Sequence, residues 1–461
     1  MKKVIALLMA AAFVLSLAGT ASAVHEGRAN LQTTGFIQTA AGYADGTNFE
    51  ENGGSTFYAE QRLRQYWDYV ASDNLKATVG YEIDATWGSN VSGAGENFNA
   101  PVGADATDGI AIKRANMEFT LPGTEATVKS GIQFISLPNV AMGYNPVLAG
   151  DMAGITVSTP VTDVADLTFG WTRGYDNTGS NAAPGLDTFF ATMPIMQDGF
   201  NMSPFVAYSA IGQDVDNAAL DVPSYRGFKT VNQNTPLQDS ADAYWVGSNF
   251  NLNMMDPVGI MGSFIYGSLN TDQDVNERAG WYADLQASYK MENMTPEVYF
   301  SYASGDDDDP SDGSETMPMI FNDGLTSKSP SMLIGDMTSL GINTPGAFLL
   351  QGTPLGLWQV GVSLTEIQVT EKMLSTLTAA YYQGTSEEGS NIGIGSGFSP
   401  SASPNALTED DSAFDITLSN TYSIYENLSA ICEAGYAKLD LDSGDKDEPA
   451  YRLGAGLNYS F

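Results

Sequence analysis

Residues 75–87 read LKATVGYEIDATW. Leu75, Ala77, Val79, Tyr81, Ile83, Ala85 and Trp87 alternate with Lys76, Thr78, Gly80, Glu82, Asp84 and Thr86. Successive side chains of an extended chain point to opposite sides, so this stretch is a strand with one apolar and one polar face. Its length matters as much as its pattern. It exceeds the roughly five or six residues of an ordinary strand and reaches the roughly 9–11 that a strand needs to cross a bilayer.

Working outward, the same alternation recurs. In 279–291, Trp281, Ala283, Leu285, Ala287 and Tyr289 oppose Tyr282, Asp284, Gln286, Ser288 and Lys290. In 412–424, Phe414, Ile416, Leu418, Tyr422 and Ile424 oppose Asp415, Thr417, Ser419, Thr421 and Ser423. The connectors alternate too. Short turns fall at 72–74, 122–124, 162–163, 197–199, 254–256, 292–293 and 426–427. Long polar connectors fall near 44–55, 88–109, 136–153, 176–186, 212–240, 270–278, 304–353, 384–411 and 441–449. Short turns on one rim and long loops on the other are the pattern of a membrane barrel.

The fold class is therefore all-β: a transmembrane antiparallel β-barrel of 16–18 strands, 18 by count. The strands are expected at 28–43, 56–71, 75–87, 110–121, 125–135, 154–161, 164–175, 187–196, 202–211, 241–253, 257–269, 279–291, 294–303, 355–367, 373–383, 412–425, 428–440 and 450–461. An even count returns both termini to the short-turn rim, and a barrel of this size encloses water. Trp67 and Tyr69 near a short turn, Trp87 near a long loop, and Trp281 and Tyr289 at opposite strand ends suit the two aromatic girdles of such a barrel.

Residues 1–23 read MKKVIALLMAAAFVLSLAGTASA. Lys2 and Lys3 precede an apolar run from Val4 to Leu17, and Ala21-Ser22-Ala23 closes it with small residues, the layout of a cleaved export signal. The mature chain is expected to span 24–461 as one barrel domain. No later apolar run approaches 18 residues, the length that marks a helical span.

The chain of 461 residues carries 55 Asp and Glu against 19 Lys and Arg, a formal charge of −36. Loss of Lys2 and Lys3 takes it to −38. So acidic a chain, with no basic patch, excludes nucleic acid as a partner. One cysteine, Cys432, excludes disulfides, and one histidine, His25, lies before the first strand. Zinc sites built on Cys and His and triads with an internal histidine are excluded as well. No nucleophile–base pair stands out, so no catalytic residue and no enzyme activity is expected.

The last twelve residues, AYRLGAGLNYSF, place Tyr451, Leu453, Ala455, Leu457, Tyr459 and Phe461 on one face. A closing amphipathic strand with a terminal Phe resembles the insertion signal of bacterial outer-membrane proteins. Phe57-Tyr58-Ala59-Glu60-Gln61-Arg62-Leu63-Arg64, then Ala71-Ser72-Asp73-Asn74-Leu75, Tyr81-Glu82 and Trp87-Gly88, resemble the opening hairpin of the homotrimeric outer-membrane porins of sulfate-reducing deltaproteobacteria. That resemblance is sharpest over 56–88. It implies a water-filled homotrimer in the outer membrane, in contact with lipid and lipopolysaccharide, that passes ions and small hydrophilic solutes.

The polar faces would line the pore. With Leu63, Trp67, Tyr69 and Ala71 toward lipid, Glu60, Arg62, Arg64 and Asp68 face the lumen, joined by Lys76, Glu82, Asp84, Arg114, Glu118 and Lys129 from the next strands. Two readings stay open: a row of bases that sets the field of a constriction, or ion pairs that solvate the wall. The connector 136–153 holds Val140, Met142, Tyr144, Val147 and Leu148, too apolar for a loop in open water. It is expected to fold inward as the constriction, with Asp151 as its acid. Asp306, Asp307, Asp308, Asp309, Asp312 and Glu315 form an acidic cluster in the longest loop. It is either a solvated tip or an oxygen-rich calcium site, without the spacing of an EF-hand.

The excess of acid predicts a cation preference, against which the basic row argues. A channel specific for sugars or carboxylates and a structural barrel are the alternative functions. An outer-membrane enzyme is the remaining one.

Overall fold

The computed structural model describes residues 30–46, 49, 54–87, 110–175, 185–212, 240–309, 312–322, 328, 330–333, 356–388, 407–442 and 448–461. The signal segment 1–23, His25 and much of the long connectors at 88–109, 176–186, 212–240, 304–353, 384–411 and 441–449 lie outside them.

The chain runs β1 (Asn30–Asp45), β2 (Thr56–Ser72), β3 (Leu75–Thr86), β4 (Ile110–Thr120), β5 (Thr127–Ser136), β6 (Leu148–Thr162) and β7 (Ala165–Tyr175). It continues through β8 (Leu186–Thr192), β9 (Ile195–Gln197), β10 (Phe200–Ile211), β11 (Ala241–Met255), β12 (Val258–Asn270), β13 (Arg278–Tyr289) and β14 (Thr295–Ala303). After the two-residue β15 (Phe321–Asn322) come β16 (Leu357–Thr370), β17 (Met373–Gly384), β18 (Ser412–Tyr425), β19 (Leu428–Asp440) and β20 (Ala450–Ser460). Sequence neighbours pair antiparallel, and β1 pairs with β20 to close the ring. Closure spares the ring the two open edges of a flat sheet, which is what lets strands exist in lipid.

The ring has 18 strands, because β8 and β9 are two parts of one strand and β15 lies outside it. The break between β8 and β9 falls at Met193-Pro194, where proline removes a ladder donor. Turns of two to six residues join the strands at one rim.

The alternation read from the sequence becomes an inside and an outside. Leu31, Val79, Val246, Phe264, Leu285, Val298, Val362 and Leu453 are exposed on the outer face. Tyr266 pairs with Trp281 and Tyr302 with Trp358, and the Trp281 and Tyr302 rings stack at 4.6 Å, so one aromatic belt rings the long-loop end. Tyr69, Tyr289, Tyr422, Tyr459 and Phe461 are exposed near the other end. Among the described residues no helix is long and apolar enough to cross a membrane.

One hairpin leaves the wall. Pairing of β4 with β5 stops at Ala115–Ile132, and pairing of β6 with β7 stops at Gly154–Thr172. Between β5 and β6 it continues to Ser136–Ala149. The tip of this hairpin therefore parts from both neighbours together and turns into the lumen. Gly131 and Gly154 sit opposite each other at the bend. Gly131 has φ +121°, and a Cβ there would strike the Ala115 carbonyl; only glycine takes this conformation without strain. The connector expected at 136–153 is shorter than that: β6 starts at Leu148, six residues before the expected 154, because its inner part bonds to β5 inside the barrel rather than to β7. Asp151 is a strand residue, not a loop residue.

The segment after β14 turns inward as well. β15 runs parallel to Leu148–Ala149, and the Ile320 amide donates to the Val147 carbonyl at 2.8 Å. Leu137, Val140, Met142, Val147 and Leu148 from the hairpin, and Met317, Ile320, Met332 and Leu333 from the longest loop, form one buried cluster with wall residues Trp245, Ile265, Tyr282 and Tyr382. Against a water-filled lumen, burying each large apolar side chain is worth about 1.5–3 kcal/mol.

Candidate functional site

The inward face of β2, β3 and β4 carries a ladder of ion pairs. The register sets Arg62 opposite Asp84 and Arg64 opposite Glu82. Arg62 binds Asp84 with two bonds, Nε to Oδ1 at 2.8 Å and Nη2 to Oδ2 at 2.7 Å. Its Nε also lies 3.4 Å from Glu82. Arg64 Nε donates to Glu82 Oε2 at 2.5 Å, and its guanidinium lies 5.5 Å from the Phe36 ring centroid. Such paired, two-pronged bonds are the strong class of charged hydrogen bond.

The next rung comes from the inward hairpin. Lys113 Nζ lies 2.8 Å from Asp151 and 3.8 Å from Glu82, and Arg114 also pairs with Asp151. The Arg114 guanidinium rests between the Tyr66 and Phe134 rings, 5.8 and 5.6 Å from their centroids. Lys113 escapes a reading by alternation, which sends neighbours to opposite faces. The β3–β4 register slips between Gly80 and Tyr81, where Arg114 and Ile112 are the successive partners. Lys113 is the extra residue of this bulge, and a bulge re-aims a side chain. It therefore reaches the same carboxylate as Arg114.

The remaining expected pore residues divide by height. Lys76 and Lys129 both meet Glu118, at 3.1 and 3.7 Å, near the short-turn rim. Asp68 accepts from Thr78 Oγ1 at 2.5 Å. Glu60 lies toward the long-loop end and is buried. Inward too is Arg452 on β20, whose Nε donates to the Tyr58 hydroxyl at 3.2 Å. In the middle of the ladder, four bases (Arg62, Arg64, Lys113, Arg114) meet three acids (Glu82, Asp84, Asp151). The wall is thus nearly balanced, with one base in excess, and every one of these groups has a partner.

The far arc is built differently. β13 lies nine strands from β3 in the ring of 18, on the opposite side. There Asp284 accepts the Met142 amide of the inward hairpin at 2.9 Å, with Tyr282 at 3.0 Å and Ser263 also donating to it. Asn249 Nδ2 on β11 donates to the Asn139 carbonyl at 2.6 Å. The hairpin therefore crosses the lumen from the ladder to the far wall. On β18, Asp415 accepts the Met332 amide at 2.6 Å, the Leu333 amide at 3.3 Å and Ser331 Oγ at 2.7 Å on one oxygen, and the Tyr382 hydroxyl at 3.2 Å on the other. Thr417 Oγ1 donates to the Pro330 carbonyl at 2.6 Å, and Trp245 Nε1 to the Pro318 carbonyl at 2.7 Å. Lys328 reaches Glu297 at 2.6 Å and Gln286 at 3.1 Å. Asp284 and Asp415 are both buried, and neither has a salt-bridging base among the described residues. Donors from the loops replace one. A buried carboxylate needs such donors, and a buried amide left without its acceptor costs about 1–3 kcal/mol.

The acidic cluster of the longest loop splits. Asp307, Asp312 and Glu315 bring carboxylate oxygens within 4.8 Å of one another on the exposed surface. Asp306 turns away and is buried, its Oδ1 accepting the Glu315 amide at 3.3 Å. Burial pushes the Asp306 carboxyl up to about 6, against the lowering effects of Ser314 and Arg278. Asp308 and Asp309 stand outside the trio, and the Asp309 amide bonds to Asp307 Oδ1 at 2.9 Å. Cys432 is exposed on β19.

No family model and no curated protein matches this sequence. Solved structures do. A doubly substituted OccD1 (OprD) aligns at a TM-score of 0.52 and 12% identity, over 95% of this chain and 98% of its own. OprD from Pseudomonas aeruginosa aligns at 0.51 and 13%, over 95% and 96%. OccAB4 from Acinetobacter baumannii aligns at 0.52 and 10%, over 94% and 99%. With so few identities the likeness speaks for the backbone: this chain has the closed 18-strand antiparallel β-barrel fold of the OprD and Occ outer-membrane porins.

Proposed function

We propose that this protein is an outer-membrane channel for the passive diffusion of ions and small hydrophilic solutes. The observation that carries this is the division of faces: an apolar outer surface with two aromatic belts encloses a lumen lined by charge and narrowed by inward chain. Nothing in such a passage makes or breaks a bond. Residues 137–147, with the hairpin behind them, act as the constriction, and Arg62, Arg64, Lys113, Arg114, Glu82, Asp84 and Asp151 set its field. The acid excess of the chain favours cations at the mouth, and the nearly balanced ladder leaves that preference weak. Planar-bilayer recordings in asymmetric KCl test the function. Stepwise currents support it; a folded barrel that yields none removes it.

A second function, a channel selective for small carboxylates, is favoured by the excess of one base in the lumen ladder, four bases against three acids. Block of the steps by one carboxylate and not by its neutral analogue separates the two.

Membership of the porins of sulfate-reducing deltaproteobacteria, the homotrimer and contact with lipopolysaccharide belong to this proposal on the resemblance that is sharpest over 56–88 and on the closing strand. So does export by the 1–23 signal. Asp307, Asp312 and Glu315 offer calcium an oxygen-only ligand set. Calorimetric heat with calcium that Asp312→Asn abolishes supports that site, and no heat removes it.

A further inference from the structure

We infer that Asp415 is a positioning residue, the latch that holds the described inward part of the longest loop as a second, separately anchored partition of the lumen. This rests on the channel function proposed above. From Met317 onward the segment has three described polar footholds on the wall: Pro318 on Trp245, Lys328 on Glu297 and Gln286, and residues 330–333 on β18. The last is the densest. One carboxylate oxygen of Asp415 gathers Ser331 Oγ and the amides of Met332 and Leu333, while Thr417, two residues along the same face, holds the Pro330 carbonyl.

The chemistry of the group explains the choice of an acid. An ionised carboxylate only accepts, so successive amides converging on it bind without a competing donor. Asn could offer its single carbonyl oxygen to them, but without the charge that strengthens three converging donors. Asp415 is fully buried, and so are Met332 and Leu333, which join the buried cluster that holds wall residues Tyr382 and Ala413. The hairpin tip has its own anchor, Asp284, on β13. The two inward segments meet along β15, yet each is tied to the wall by a different acid. Loss of one tie therefore widens one side of the lumen and leaves the other seated.

The test is single-channel conductance, with the size limit for neutral polymers, on the full-length chain. Asp415→Ala is expected to raise conductance about 1.5-fold and admit larger polymers, with more open-channel noise. Thr417→Val, which removes only the bond to Pro330, is expected to move both readouts the same way by less. Each variant is first checked as a folded barrel by its heat-modifiable gel mobility. A folded Asp415→Ala with unchanged conductance and polymer limit overturns the latch, whatever its melting temperature. Should Asp415→Ala not fold, Thr417→Val decides alone, and an unchanged Thr417→Val overturns it. Absence of steps from the unaltered chain overturns the channel function instead.

Discussion

Two arcs of the same wall use aspartate in opposite ways. On β2–β6, Asp84 faces the Arg62 guanidinium of the adjacent strand, Asp151 of the inward hairpin faces Lys113 and Arg114 of β4, and charge is neutralised side chain to side chain. On β13 and β18, Asp284 and Asp415 have no salt-bridging base among the described residues, and the chain brings its own amides across the lumen to them. An inward carboxylate must be satisfied either way. What differs is whether a basic side chain stands within reach at that height. Where it does, the acid belongs to the pore surface. Where it does not, the acid becomes a seat for inward chain.

Ranked by expected effect, the sharpest challenge to this contrast is removal of the bridge between the arcs. Deleting residues 140–146 is expected to raise single-channel conductance about two- to threefold, since an open 18-strand lumen is far wider than the hairpin leaves it. Unchanged conductance would sink the constriction. Next, Asp284→Ala is expected to raise conductance by about half, because the Met142 amide loses its acceptor. Glu118→Gln on the ladder arc serves as its control and should change conductance little. Equal effects of the two would erase the distinction between seat and surface.

A smaller effect concerns charge. Asp151→Asn leaves Lys113 and Arg114 without their shared acid. Reversal potentials should move toward anions, by about twofold in permeability ratio, and Lys113→Gln should move them toward cations. If Lys113→Gln does nothing, the bulge has not aimed that side chain into the ion path.

The smallest concerns the mouth. Asp306 titrates near 6 because it is buried, above its ordinary value of 3.8. Its folded form holds the proton more tightly than its unfolded form. The contribution to seating residues 304–309 and 312–316 is therefore fully present below about pH 4 and lost as pH rises through about 6. Amide exchange at Glu315, corrected for intrinsic rate, should be slower at pH 5 than at pH 7. Asp306→Asn should flatten that dependence.

Most of the barrel was legible in residues alone. Period-two alternation placed all 18 strands within a few residues of their observed bounds, apart from the early start of β6, and put Glu60, Arg62, Arg64, Asp68, Lys76, Glu82 and Asp84 on one face. That works because a strand's sidedness is local: each side chain alternates whatever lies beyond it. The acidic loop was legible as composition. Its division into an exposed trio and a buried Asp306 was not, since that turns on which neighbouring loop covers which carboxylate.

The remaining features came from contacts between distant parts of the chain. Lys113 enters the lumen because the β3–β4 register slips beside it, a relation between two strands that neither contains. The β5–β6 hairpin bends at Gly131 and Gly154, and each glycine looks ordinary until the two are paired. Asp284 and Asp415 sit in strands whose alternation is unremarkable, 142 and 82–83 positions from the amides they hold. Local chain geometry decides inside and outside. Which inward group becomes wall and which becomes anchor depends on the partner that folding brings, and a carboxylate keeps that choice open until a donor arrives.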